Sequence, residues 1–535
     1  MKKFFPFAFL FVILNLSAQE RPKLVVGIVV DQMKMEYLYR FQSDFSEKGF
    51  KRLMKDGYTF HNMHYNYMPT STAPGHSSIF TGATPSVHGI MGNDWFNRKL
   101  GKLMYCTDDI SVTSLGESVK NEGNMSPKNL LATTVTDELR LSTNFKGKVI
   151  GVSLKDRGSI LPAGHFANWA FWFSDTGNFI SSTFYGDKLP DWVTKFNNEK
   201  HYMPYVNKGW DLLKPISEYD ESLPDDNQHE LPLFGHKPVF PYDLKAMFEK
   251  KGAEIFRSIA FGNDLLLEFA KTAVEKEALG KDDVTDFLTF SFSATDYVGH
   301  DFGTRSVELQ DTYLRLDQNI ADFLNYLDKQ VGKGNYLVFL TADHAAAETP
   351  KFLKNKYNVD NVETKEIRNA LKEFSVKTFG ENLVVNYMKF NLHLNKEIIK
   401  SKSLDLQKVK QAFKDFLMTL DHVKRVYTEE EILANPGSDY FLNCIAKGYD
   451  PTQNGDLVVL DKPGYLEGKA EGTEHAAPYS YDTNVPCLFY GWKIKKGESH
   501  EKKEITQIAP TISQKLSITL PNGTESKVLT EIFEK

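Results

Sequence analysis

The sequence predicts an α/β fold in which helices flank a mostly parallel central sheet, with insertions over the active-site edge. Three observations carry this expectation: five continuously apolar runs, helical patterns between them, and no repeat, low-complexity tract or linker. The runs are "KLVVGIVV" (23–30), "KVIGVSL" (148–154), "DFLTFSFS" (286–293), "NYLVFLTA" (335–342) and "VPCLFYG" (485–491). Strands covered on both faces read as unbroken apolar runs rather than as alternation. Residues 306–330, "SVELQDTYLRLDQNIADFLNYLDKQ", place apolar side chains at helical spacing. Alternation of the two patterns gives crossover units and hence parallel strands.

A chain of 535 residues can bury one large core. A single domain is expected over 19–535, with insertions at about 158–242 and 350–470. The first insertion is rich in aromatics, Pro and Asn, and the second mixes short helical and strand-like pieces. Both are expected over one face of the sheet, where their aromatics can border a substrate cleft.

Charged residues make up 25% and hydrophobic residues 41% of the chain, an ordinary globular balance. The net charge of −6 and the lack of a long Lys/Arg run exclude nucleic acid as a main partner. The first residues, "MKKFFPFAFLFVILNLSAQE", combine a basic start, an apolar core and a small-residue cleavage site. That pattern predicts a signal peptide over 1–18 and a periplasmic protein. The apolar run is short for a membrane span, so no stable membrane anchor is expected. Three scattered cysteines, Cys106, Cys444 and Cys487, allow at most one disulfide and no cysteine metal site. Any bound metal must use His, Asp and Glu.

Chemistry-bearing residues follow the strands. Asp31 comes after the first run, Lys155-Asp156-Arg157 after the second, Asp296 and His300 soon after the third, and Asp343-His344 after the fourth. In a parallel sheet these strand ends share one edge, where such folds bind ligands. Each residue alone has a plainer reading, such as a helix cap for Asp31. Together they form a ligand set suited to catalytic zinc, gathered from distant segments. His475, in a Gly/Pro/Ser-rich loop before the fifth run, is the best further histidine; His76 and His88 lie in or near the next motif.

That motif is "TSTAPGHSSIFTG", with Pro74 near the first turn of a helix and Thr72 at or just before its cap. An ordinary Thr cap is one reading. The other is a phosphate or sulfate site, because a helix start offers free N–H groups and a positive dipole end. A metal touching the hydroxyl would lower its pKa, which makes Thr72 the candidate nucleophile with zinc as activator.

With these residues in view, the chain resembles the alkaline phosphatase superfamily, and within it the PafA-type phosphate-irrepressible enzymes of flavobacteria. The carriers are "VVDQM", "PTSTAPGHSSIFTGATPSVHGIMGNDWFNR", "SLKDRGSILPAG", "SATDYVGHDFG", "TADHAAAE" and "GTEHAAPYSYDTNVP", spread over essentially the whole mature chain. The resemblance implies two Zn2+ ions, one held by Asp31, Thr72, Asp343 and His344, the other by Asp296, His300 and His475. It implies that Asn93, Lys155 and Arg157 contact the phosphoryl group, and that Asp156 is structural. The implied reaction is hydrolysis of small-molecule phosphate monoesters through a phosphothreonine at Thr72, by a monomer. A phosphodiesterase or nucleotide pyrophosphatase shares the ligand set; the two cations Lys155 and Arg157 favour a dianionic monoester. A sulfatase would need Cys or Ser at position 72. A non-catalytic zinc-binding protein would not need the trio Asn93, Lys155 and Arg157.

Overall fold

The computed structural model describes residues 20–357, 359–435 and 437–534, so the expected signal peptide lies outside the described residues. The first apolar run forms strand β1 (Leu24–Val30), buried at every position. After helix α1 (Met35–Arg40), the chain adds β2 (Tyr58–His64) and then helix α2 (Thr72–Thr81). Next come β3 (Val149–Ser153), helix α3 (Asp156–Ala163), β4 (Trp169–Phe173) and β5 (Phe179–Ser182). Strand β6 (Asp286–Phe292) leads into helices α4 (Ala294–Phe302) and α5 (Val307–Leu327), and then into β7 (Tyr336–Thr341). The central strands run parallel: β1 pairs β7 with Leu24 opposite Tyr336, and β6 with Leu24 opposite Asp286. Strand β3 pairs β6 and β4 in the same sense.

Residues 384–461 build a second, antiparallel sheet from β8 (Val384–Met388), β9 (Asn391–Leu394), β10 (Val423–Thr428) and β11 (Leu457–Asp461). Leu392, Phe413, Val426 and Val459 centre a core of its own. The chain then returns to the main sheet as β12 (Asn484–Gly491) and β13 (Gly497–Ser499). The order across the main sheet is β13-β2-β12-β7-β1-β6-β3-β4-β5, closed at the far end by residues 114–115.

The fold is thus the expected α/β arrangement, though the sheet is mixed. Strand β12 runs antiparallel to both β7 and β2, and β5 antiparallel to β4. An apolar run states that a strand is buried and not which way it points, so this was not readable from residue types. The stretch 158–242, expected over one face, begins with most of α3 and the sheet strands β4 and β5. Their aromatic run "WAFWF" lies in the sheet, and the excursion away from it starts only after Ser182. All three cysteines are buried and unpaired, and burial pushes the Cys106 and Cys487 thiols up.

Candidate active site

Four strand ends build the rim. Asp31 follows β1 directly, and its N–H donates to the carbonyl of Phe292 at the end of β6 (3.0 Å). Asp343 and His344 follow β7, Lys155 follows β3, and Asp296 and His300 lie four residues apart on α4, one turn after β6. Asp31, Asp343 and His344 are fully buried, and Asp296 is nearly so.

Three imidazoles are held alike. Nδ1 of His300 donates to the carbonyl of Thr473 (2.7 Å), that of His344 to Ala345 (2.9 Å), and that of His475 to Thr70 (2.7 Å). A carbonyl only accepts, so Nδ1 carries the proton and Nε2 is the lone-pair nitrogen in the neutral ring. Each Nε2 faces carboxylate oxygens: His300 lies 3.1 Å and His475 3.8 Å from Oδ1 of Asp296, and His344 lies 3.4 Å from Oδ1 of Asp31. Oδ1 of Asp31, Oδ2 of Asp343 and Nε2 of His344 are buried with no hydrogen-bond partner among the described residues. Buried acceptors aimed at one another are costly unless a cation lies between them. The donor set therefore fits divalent metal ions, and the candidate ligand atoms fall into overlapping groups: Asp31/Asp343/His344, Asp296/His344/His475 and His300/Glu474/His475. Fixing one ring nitrogen on a backbone carbonyl is how metal-ligating histidines are oriented.

The electrostatics agree. Burial lowers the affinity of His344 for a proton, but Asp343 and Asp31 outweigh it and push the ring up to about 9. For His300 the same opposition, with Asp296 and Glu474 on the winning side, gives about 10. His475 goes the other way, held neutral by burial and by the charges of His344 and His300. Burial and the neighbouring Asp296 raise Asp31, yet Lys155 and His344 bring its carboxyl well below the usual range. The pocket demands positive charge, which cations supply as readily as protons.

Thr72 opens α2 at its first position, after Ser71. His76 fixes the turn: its Nδ1 donates to the carbonyl of Thr72 (2.8 Å) and lies 3.3 Å from Oδ2 of Asp343. Because that single N–H is given to Thr72, Oδ2 of Asp343 stays unpartnered. Gly75 lets α2 approach, since a Cβ there would lie 2.1 Å from the Asp343 carbonyl. Oδ1 of Asn93 accepts from the N–H of Ala73 (2.8 Å), so the helix start sits between Asn93 and the Asp343 segment.

Lys155 and Arg157 also converge, though by different means. Nζ of Lys155 bridges Asp31 (2.6 Å) and Asp296 (2.5 Å), the two carboxylates that head separate candidate ligand groups. Nη1 of Arg157 donates to the hydroxyl of Tyr105 (2.9 Å), while its Nε is buried without a partner among the described residues. Both cations line a cavity of about 190 Å3 with Tyr297. Asp156 accepts from the hydroxyls of Tyr105 (2.7 Å) and Thr107 (2.6 Å). His88 is buried, 3.1 Å from the Ser78 hydroxyl, away from the rim carboxylates.

Sequence reasoning missed three contributors. Gln32 donates from Nε2 to Asp296 (2.7 Å) and from its backbone to Asp343 (3.1 Å), at a left-handed φ of 64°. Gly299 makes room for it: a Cβ there would lie 1.8 Å from the Gln32 amide oxygen. Glu474 stands 3.7 Å from Nδ1 of His300, and its place beside His475 was the available signal. Tyr105, which orients Asp156 and Arg157, is some fifty residues upstream of both and gave none.

Beside the rim opens a cavity of about 480 Å3. Asn93, His300 and His475 line it, together with Lys389 and Phe390 from the hairpin between β8 and β9 and with Tyr465.

The family described as type I phosphodiesterase / nucleotide pyrophosphatase matches residues 25–484. The chain belongs to that family. Within it, alkaline phosphatase PafA of Elizabethkingia meningoseptica is 45% identical over 97% of this chain and 95% of its own. Alkaline phosphatase PhoV of Synechococcus elongatus is 45% identical over 96% of this chain and 93% of its own. The crystal structure of wild-type PafA matches at a TM-score of 0.94, covering 97% of this chain and 100% of that one. This phosphodiesterase family is part of the alkaline phosphatase superfamily that the motifs resemble.

Proposed function

We propose that this chain is an alkaline phosphatase that hydrolyses small-molecule phosphate monoesters, with the Thr72 hydroxyl as nucleophile. The observation that carries the reading is the convergence of three oriented imidazole nitrogens and three buried carboxylates on the start of the Thr72 helix. Similarity to PafA and PhoV over nearly the whole chain supports the same reaction class. Asp31, Asp343, His344 and Thr72 would hold one Zn2+, and Asp296, His300 and His475 the other. When bound, these ions supply Lewis-acid charge that acidifies the Thr72 hydroxyl and draws negative charge off the phosphoryl oxygens.

The chain's own groups do the rest. The helix start aims backbone N–H groups and a positive dipole end at the phosphoryl site. Asn93 is tied through its oxygen to Ala73, which leaves its NH2 group as a neutral donor to a phosphoryl oxygen. Arg157, steered by Tyr105, offers a planar fork, and Lys155 a point charge. Thr72 Oγ1 loses its proton and attacks phosphorus, the bond from phosphorus to the ester oxygen breaks, and a phosphothreonine forms as the leaving oxygen takes up a proton and departs as the alcohol. Water then attacks that phosphorus in line, releasing inorganic phosphate and the free hydroxyl, with net retention at phosphorus. Export to the periplasm and action as a monomer belong to the same reading, from the start of the sequence and from the resemblance.

Thr72→Ala tests it. Turnover of p-nitrophenyl phosphate should fall by about 10³-fold or more, while metal analysis still finds zinc bound. Substantial activity in that variant overturns the covalent route. The family description favours one second reading, a diesterase, and rates on bis-p-nitrophenyl phosphate measured alongside decide between the two.

A further inference from the structure

Away from the rim, residues of two paired edge strands bring together a second set of metal-type donors. His61 lies on β2, Glu498 on β13, and His500 just beyond it. These strands run parallel, with Glu498 opposite Thr59 and Ser499 opposite Phe60. The Asn62 amide donates to the carbonyl of His500 (3.2 Å), which fixes the backbone after β13. One ligand atom from each of His61, Glu498 and His500 lies within 4.8 Å of the other two. Nε2 of His61 is 3.1 Å from Oε2 of Glu498, and the His61 and His500 rings stack with centroids 4.4 Å apart.

We propose that His61, Glu498 and His500 form a third, peripheral site for a borderline divalent transition-metal ion, zinc foremost. Two imidazoles and one carboxylate are a ligand set that zinc accepts, with water completing the shell. Nδ1 of His61 is hydrogen-bonded to the hydroxyl of Tyr39 on α1. That oxygen can accept as well as donate, so Nδ1 can take the ring proton while the ion replaces it on Nε2. Glu498 and His500 are exposed, so the stacked His500 ring is free to turn one nitrogen toward the ion. The bound ion would staple the short edge strand β13 to β2, and Ni2+ and Cu2+ would compete for it.

The test is metal stoichiometry on the full chain. Equilibrium dialysis against Zn2+, followed by elemental analysis, should find one more equivalent in the wild type than in a His61→Ala/His500→Ala variant. Phosphatase activity should be unchanged between them. Glu498→Gln, an exposed change that leaves β13 intact, should weaken the extra equivalent at least tenfold and serves if the double variant folds poorly. Equal stoichiometry in the wild type and the folded double variant, or an extra equivalent bound as tightly by Glu498→Gln as by the wild type, overturns the site.

Discussion

Two sets of buried carboxylates in this molecule differ in charge: one is ionised and the other keeps its protons. At the rim, burial raises Asp31 and Asp296, but nearby cations win and hold both well below the usual range. His300 and Lys155 act on Asp296, and Lys155 and His344 on Asp31. Glu230 and Glu308 are buried too, yet burial pushes both up, helped by the charge of Glu308 on Glu230 and by those of Asp225 and Asp311 on Glu308. Glu308 meets only the Tyr242 hydroxyl and Glu230 only the Asn227 amide, and one oxygen of each has no partner among the described residues. Burial alone therefore does not mark a catalytic carboxylate. What distinguishes Asp31 and Asp296 is the supply of positive charge arranged around them, whereas Asp343, beside Asp31, is raised by burial and by that neighbour.

Removing that supply at the rim should have the largest effect. Lys155→Ala combined with Arg157→Ala should lower kcat/KM on p-nitrophenyl phosphate by about 10³-fold or more. On a diester the same pair should cost about tenfold, because a monoanionic phosphoryl group needs less charge. Equal losses on the two substrates would remove the monoesterase assignment.

A smaller effect is expected at the hairpin between β8 and β9. Phe390 lines the 480 Å3 cavity beside Lys389, at a hairpin tip where both residues have positive φ. Phe390→Ala should raise KM for aryl phosphates by about tenfold at most, equivalent to about 1.4 kcal/mol. Zinc content should not change. A collapse of kcat at saturating substrate would mean that this hairpin acts in chemistry rather than in leaving-group binding.

The smallest effect concerns the uncompensated pair, and its sign is fixed by linkage. Folded Glu308 keeps a proton that the unfolded chain releases above the ordinary Glu range, so folding stability falls as pH rises past that range. Glu308→Gln keeps an acceptor for Tyr242 and removes the ionisation. The variant should melt about 2 °C or more above the wild type at pH 9, with the gap closing toward pH 5. A gap that persisted at pH 5 would mean that charge is not its cause.

The legibility of the rim follows from the same physics. A parallel strand delivers the residue after it to one edge, so Asp31, Lys155 and Asp343 could be placed by their distance from an apolar run. Gln32 could not, because its role depends on a left-handed backbone and on the gap that Gly299 leaves. Tyr105 could not, because only folding brings it against Asp156 and Arg157. The reversed β12 escaped because apolar pattern records burial and not direction, and the sheet strands within 158–242 escaped because they lie in a stretch rich in aromatics, Pro and Asn.

Residue types and their order determined the α/β class, the edge where the candidate site gathers, and a candidate ligand set without cysteine. Each of these follows from local periodicity and from the reach of a strand. Tertiary structure alone decided which nitrogen each imidazole turns toward the carboxylates, since Thr473, Ala345 and Thr70 supply the fixing carbonyls. It also decided which buried acids are balanced by cations. Those contacts join positions up to hundreds of residues apart, and no local pattern in the chain encodes their geometry.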